Sequence, residues 1–207
     1  MELVKTISNN KLIKSFLLVL FGSVLLTISA KIKIPFYPVP MTMQTFVVLF
    51  LGIVLGPKIS LLTVSLYLFE GIFGLPVFAG TPEKGIGLIY FTGPTMGYLI
   101  GFLAATYLAG YFKYENCFDF HKFKLKKDLP FFSSLISTIL LVVTMSLKNL
   151  IKLILAVSFI YIFGLLWLGF LIGWDKPVFE LGAQPFLLAE LFKMLILSII
   201  AGSLYKI

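Results

Sequence analysis

Two ionisable residues stand three apart inside an apolar run: Glu190 and Lys193, in Gln184-Pro-Phe-Leu-Leu-Ala-Glu-Leu-Phe-Lys193. On a helix, positions i and i+3 share a face, so carboxylate and ammonium can pair. Charges at membrane depth are expensive to hold, and such residues mark sites. Two roles fit the pair. It can be a structural ion pair near a helix end, or it can present an acceptor and a donor to a polar ligand. Gln44, one turn into a short apolar span, can aim an amide into a cavity. Glu70 lies near the end of another apolar run, where its carboxylate can reach the outer interface.

The residues that are missing narrow the chemistry. The single His, His121, sits in a lysine-rich loop, and the single Cys, Cys117, excludes an internal disulfide. No His/Cys/Asp/Glu cluster has metal spacing. Neither the dinucleotide fingerprint nor the phosphate-loop pattern occurs. No catalytic centre, metal or cofactor is expected, because a membrane-embedded enzyme would need a nucleophile or metal cluster. Ligand binding and helix scaffolding stay open.

The elements that must position these residues follow from composition. Of 207 residues 59% are hydrophobic and only 13% charged, against about a quarter charged in soluble domains. Mean hydropathy is +1.05. This predicts an all-α integral membrane protein. The apolar runs lack the alternation of barrel strands, and a spanning helix satisfies its own backbone. The formal charge is +8 and all 17 basic residues are Lys. They flank the apolar runs, as topology signals do, and form no soluble nucleic-acid-binding domain. Lys5, Lys11 and Lys14 precede the first run as in a signal peptide. The cleavage pattern is poor, however, and Lys31 and Lys33 follow, so the run reads as a retained span.

A single membrane domain, 1–207, is expected, with spans at 12–30, 41–55, 59–73, 93–112, 153–173 and 186–205. The span 41–55 reaches only about 24 Å, short of a ~30 Å apolar core, which leaves room for a cavity. The stretch Lys31–Pro40 holds Pro35, Pro38 and Pro40 and must be extended. Gly56-Pro57-Lys58 reads as a tight turn. Six crossings with the N-terminus inside place ten lysines inside, including Lys58, Lys113 and Lys122, and Lys31, Lys33, Lys84 and Lys176 outside. The further apolar run 129–147 would invert the last helix if it crossed. It is expected to dip in and return, or to lie at the inner interface, within an insertion at 114–148.

The Gly/Pro-broken loop 74–91 delivers a helix opening with Gly93-Pro94 and carrying small residues every fourth position: Gly93, Gly97, Gly101, Ala105 and Ala109. That spacing predicts close helix packing and a flat pocket wall. Phe36, Tyr37, Phe78, Tyr90 and Tyr98 gather around the proposed outer loops, where aromatic belts form. Tyr98 stands apart, on the small-residue helix. Trp167 and Trp174 are expected as packing and interface anchors.

Six pieces of sequence, in order, carry a family resemblance: Ile34-Pro-Phe-Tyr-Pro-Val-Pro-Met-Thr-Met-Gln-Thr45, Leu55-Gly-Pro57, Gly74-Leu-Pro-Val-Phe-Ala-Gly80, Gly93-Pro-Thr-Met-Gly-Tyr-Leu-Ile-Gly-Phe102, Gly164-Leu-Leu-Trp-Leu168 and Pro185-Phe-Leu-Leu-Ala-Glu-Leu-Phe-Lys193. The chain resembles BioY, the family of biotin-specific membrane components (S components) of energy-coupling-factor transporters. The resemblance implies a six-transmembrane-helix S-component fold in a bacterial cytoplasmic membrane. It implies capture of biotin at the outer face, in a pocket capped by loops. Partners would be the lipid bilayer, a coupling subunit and two cytoplasmic ATPase subunits, the chain itself hydrolysing nothing. Carried over by motif, Glu190 and Lys193 match an acid-x-x-Lys pair that contacts the ligand. The Gly80–Gly87 loop and Tyr98 match pocket positions, and Gln44 matches the first-loop motif, which also contains Phe36. This chain has Glu190 where the family usually has Asp, Met96 where many relatives have Gly, and Leu99 where some have Arg. With no Arg anywhere, Lys84 is the candidate for the biotin carboxylate. Gly22, Ser23 and Thr27 form a loose version of a small-residue docking face. An S component for another vitamin and a purely structural membrane protein are the competing readings.

Overall fold

The computed structural model describes residues 11–34, 37–117 and 131–205. Helix α1, Lys11–Lys31, is bounded by lysines at both ends, and its 21 residues extend about 32 Å. Gly22, Ser23, Leu26, Ser29 and Ala30 face inward, while Phe16, Phe21, Val24 and Ile28 are exposed. The proline-rich stretch beyond it is a hairpin. Strand β1, Lys33–Ile34, pairs antiparallel with β2, Met41–Thr42, in the register Lys33–Thr42 and Ile34–Met41.

Helix α2, Gln44–Ile72, is folded in two. Gly56 has φ 74° and ψ 173°, a left-handed φ that only glycine adopts without cost. Pro57 starts the second arm, where a missing N–H does no harm. Gln44 Nε2 donates to Tyr67 Oη at 2.7 Å across 23 residues, which a straight helix would hold about 35 Å apart. The two expected spans are therefore two antiparallel arms. A 3₁₀ turn at Gly87–Thr92 leads into α3, Met96–Tyr111. Helix α4 is Phe131–Ile172, and α5 is the single turn Val178–Gly182. Helix α6, Gln184–Leu204, has a proline in its first turn. Among the described residues α1, α2, α4 and α6 are long and apolar enough to cross a membrane, and α3 is a shorter apolar helix.

Helix α4 corrects the expectation of a dipping segment. Residues 129–147 and 153–173 were expected as separate runs, yet Phe131–Ile172 is one continuous helix of 42 residues, about 63 Å long. A continuous helix does not dip and return. No Gly or Pro occurs before Gly164 to break it, and the polar residues between the two runs have partners of their own. Asn149, fully buried, accepts from Glu115 N at 2.9 Å and donates to Glu115 O and Ser198 O, each at 2.9 Å. Lys152 donates to Lys113 O at 2.6 Å, and Lys148 lies 3.6 Å from Glu115. These residues seat the segment 113–117 against α4 and α6. His121 and the rest of the lysine-rich loop lie outside the described residues.

The small-residue spine packs as its spacing predicts. A methyl group added at Gly101 would lie 2.6 Å from Ile160 Cα, inside contact distance of the α4 backbone. Gly97 abuts Phe163, Gly164 and Trp167, and Trp167 Nε1 donates to Gly93 O at 2.9 Å. On its other side α3 meets α2, where Gly52 lies against Thr106 O and Ala109. Glu70 does not end at an open interface: it accepts a hydrogen bond from Ser23 Oγ of α1. Overpacking the spine should be costly. Gly101→Val is expected to destabilise the bundle by about 1–3 kcal/mol, read as a lowered midpoint of thermal unfolding in detergent.

Candidate functional site

The first arm of α2, α3, α4 and α6 diverge around a cavity at the end where the β-hairpin and the loop 74–95 meet. Its space between atoms is about 560 Å³, including an open mouth. The hairpin contributes Val39, Pro40, Met41 and Thr42. The helices contribute Gln44 and Thr45, Tyr98, Leu99 and Phe102, Ile160 and Tyr161, and Phe186 and Glu190. Ala79, Tyr90 and Thr95 close the loop side. The lining is mostly apolar and aromatic with a few convergent polar groups, as in small-ligand sites generally.

The polar groups are organised around one ion pair. Glu190 and Lys193 are both buried, and Lys193 Nζ donates to Glu190 Oε1 at 2.7 Å. The same ammonium donates to Thr42 O at 2.6 Å and Thr45 Oγ1 at 3.0 Å. Thr45 Oγ1 in turn donates to Glu190 Oε1 at 2.7 Å. Three N–H groups are all that an ammonium has, so Lys193 is saturated by protein oxygens. Glu190 is not, because its Oε2 is buried and has no hydrogen-bond partner. A buried carboxylate oxygen without a donor is costly and keeps its capacity to accept a hydrogen bond.

Gln44, buried at the cavity wall, is fixed by its bond to Tyr67, and Tyr67 Oη donates onward to Val77 O at 3.2 Å. Tyr98 gives the cavity its ring, set edge-on to Tyr161 with centroids 6.2 Å apart. Its hydroxyl donates away from the cavity, to Gly182 O at 2.8 Å. Phe78 stacks on Tyr90 at 4.7 Å and meets Tyr67 edge-on at 5.2 Å. Tyr90 Oη donates to Ala79 O at 2.8 Å, and burial raises its pKa above the ordinary phenol value.

Of the residues expected from sequence, Glu190, Gln44 and Tyr98 line this cavity together. Lys193 stands behind Glu190 and Thr45. Gly80 is buried beside Ala79 at φ 82°, and the exposed Lys84 lays its stem against Gly80 rather than into the cavity. Phe36 lies outside the described residues. Sequence reasoning missed Thr45, which braces the ion pair, and Tyr161 and Phe186, which are part of the wall. Thr45 had a signal, since it follows Gln44 by one position. Phe186 stands in the same quoted piece as Glu190, and Tyr161 had none, being an aromatic residue inside an apolar run. Among the described residues no three His, Cys, Asp or Glu come together as a metal site.

The BioY family model matches residues 4–207. The chain belongs to the BioY family. It is 31% identical over 180 residues to the probable biotin transporter BioY of Pyrococcus horikoshii, covering 87% of this chain and 89% of that one. Against the biotin transporter BioY2 of Lactococcus lactis subsp. cremoris it is 27% identical, covering 95% and 93% of the two chains. Its fold is similar to the crystal structure of the S-component for biotin from an ECF-type ABC transporter. The TM-score is 0.64 and the identity 25%, over 96% of this chain and 94% of that one. The bundle of this BioY-family chain is thus S-component-like over nearly its whole length.

The ion pair predicts an asymmetric response to substitution. Lys193→Met leaves a buried carboxylate without its counter-charge and is expected to destabilise by about 3–5 kcal/mol. Glu190→Gln combined with Lys193→Met should recover much of that loss, as measured by thermal unfolding of the unsubstituted protein and the two variants.

Proposed function

We propose that this chain captures biotin at the outer face of a bacterial cytoplasmic membrane and serves as the substrate-binding component of an ECF-type transporter. It takes up biotin and is not an enzyme. The observation that carries the reading is Glu190, which lines an aromatic-walled cavity of a BioY-family chain and has one unpaired carboxylate oxygen, Oε2. Biotin has a compact fused ring, a ureido group that both donates and accepts, and a tail ending in a carboxylate. The rings of Tyr90, Tyr98 and Phe186 suit the bicycle, and Glu190 Oε2 accepts a ureido N–H. Lys193 holds Glu190 Oε1 and fixes the carboxylate's rotamer. It can reach the ureido oxygen by releasing Thr45 Oγ1. Gln44 offers its amide beside them. The longer reach of Glu190, in place of the family's Asp, is taken up by Thr45, which holds Oε1 and turns Oε2 free.

Six crossings, with the two arms of α2 counted separately, put the N-terminus inside and the cavity mouth outside. The lysine asymmetry supports this orientation. Lys84, on the rim above Gly80, meets the tail carboxylate outside the cavity. The energising partners are a membrane coupling subunit and two cytoplasmic ATPases.

Equilibrium binding of radiolabelled biotin to the purified chain tests the reading. Saturable binding is expected, with Glu190→Gln weakening it about tenfold or more; tight binding of a different vitamin, and none of biotin, would sink the biotin assignment. The role of Lys84 has its own check. Lys84→Ala should weaken biotin by no more than about fivefold, as for an exposed ion pair, and leave biotin methyl ester unaffected. Equal losses for acid and ester would remove Lys84 from the site.

A further inference from the structure

The loop that closes the cavity is anchored by the buried side chains of Val77, Phe78 and Ala79. Its backbone hydrogen bonds between Leu75 and Gly85 are local: Leu75 N to Glu70 O, Val77 N to Leu75 O, Thr81 N to Phe78 O, Lys84 N to Gly80 O and Gly85 N to Pro82 O. Two carbonyls are held from below, Val77 O by Tyr67 and Ala79 O by Tyr90. Three more, those of Pro76, Phe78 and Thr81, converge on one cation. Lys31 Nζ, at the end of α1, lies 2.7 Å from Pro76 O, 3.0 Å from Phe78 O, 3.3 Å from Thr81 O and 3.0 Å from Thr81 Oγ1, four acceptors for its three N–H groups. Thr81 Oγ1 itself donates to Phe78 O at 2.7 Å, which tightens the ring of oxygens. The residue is exposed, so its ammonium has water to return to when the bonds break.

The same point in the chain governs the opposite edge of the mouth. Lys31 is followed directly by β1, and Met43 N donates to Ile32 O at 3.2 Å, so the hairpin that supplies Val39–Thr42 hangs from the end of α1. One capping loop is therefore joined to α1 covalently and the other through Lys31. Their separation requires the ammonium to let go.

We infer that Lys31 is a latch: by binding the carbonyl ring of residues 76–81 it holds the two capping segments together over the cavity and sets how fast a ligand leaves. Lys31 is a positioning residue that acts on the loop without touching the ligand. The inference rests on reading the cavity as the ligand site, and it is tested in two arms so that the two ideas can fail separately.

In the first arm, full-length protein in lipid nanodiscs is loaded with radiolabelled biotin and chased with excess unlabelled biotin. Lys31→Met should release biotin about tenfold faster, the loss expected for charge-assisted hydrogen bonds partly screened by solvent. Lys31→Arg, which keeps several donors, should fall between, and Thr81→Val, which removes one acceptor without touching the charge, should speed release by less. Release rates unchanged in Lys31→Met and Thr81→Val would overturn the latch. The second arm needs no ligand. Ala79, buried at the cavity wall, is replaced by Cys in a Cys117→Ala background, and its modification by a methanethiosulfonate reagent is timed. Adding Lys31→Met should accelerate modification several-fold, and an unchanged rate would overturn the latch. Acceleration in a protein that binds no biotin would keep the latch and remove the biotin assignment.

Discussion

A carboxylate and an ammonium cannot be taken singly into an apolar bundle, and the pairing of Glu190 with Lys193 is the constraint around which this structure is arranged. Burying two charges leaves their remaining bonding capacity to be satisfied at close range. Lys193 meets that demand with the carbonyl of Thr42 and the hydroxyl of Thr45, which binds α6 to the β-hairpin and to the start of α2. One pair thereby ties α6 to two adjoining segments more than 140 residues away in the chain. Of the pair's polar atoms one is left unsatisfied, the buried Glu190 Oε2, and Glu190 itself lines the cavity. The geometry is asymmetric: the cation is consumed by the scaffold and the anion keeps a vacancy for a donor.

The walls around that vacancy depend on thin helices more than on wide side chains. Gly97 and Gly101 bring α3 against the α4 backbone, and Gly52 brings α2 against α3. Close contact at these points leaves Tyr98, Leu99 and Phe102 on the adjoining face, turned to the cavity. Gly56 adds the fold-back that makes two short arms from one sequence stretch and carries Gln44 and Tyr67 to the same level.

Much of this was legible in the sequence because it rests on local chemistry. The i,i+3 spacing of Glu190 and Lys193 implies their pairing, Gly56-Pro57 implies a reversal, and the fourfold repeat from Gly93 to Ala109 implies close packing. What was not legible depends on distant partners. Lys148, Asn149 and Lys152 look like a break until Glu115 and Ser198 are seen to satisfy Asn149 inside a continuous helix. Thr45 looks like any helix threonine until Glu190 and Lys193 arrive from α6. Lys193 reads as a ligand contact by motif, and only the positions of Thr42 and Thr45 reveal that its three donors are already engaged. Tyr161 carries no mark in its apolar run.

The continuity of α4 has a mechanical meaning. Ile160 and Tyr161 form part of the cavity wall, and Asn149 clasps the segment 113–117 at the opposite end of the bundle. They are eleven residues apart, about 17 Å, on a stretch with no glycine or proline to act as a joint. Wall and clasp are thus two points on one stiff beam. Between Ile160 and Asn149 a displacement of the wall meets no glycine or proline hinge that could absorb it.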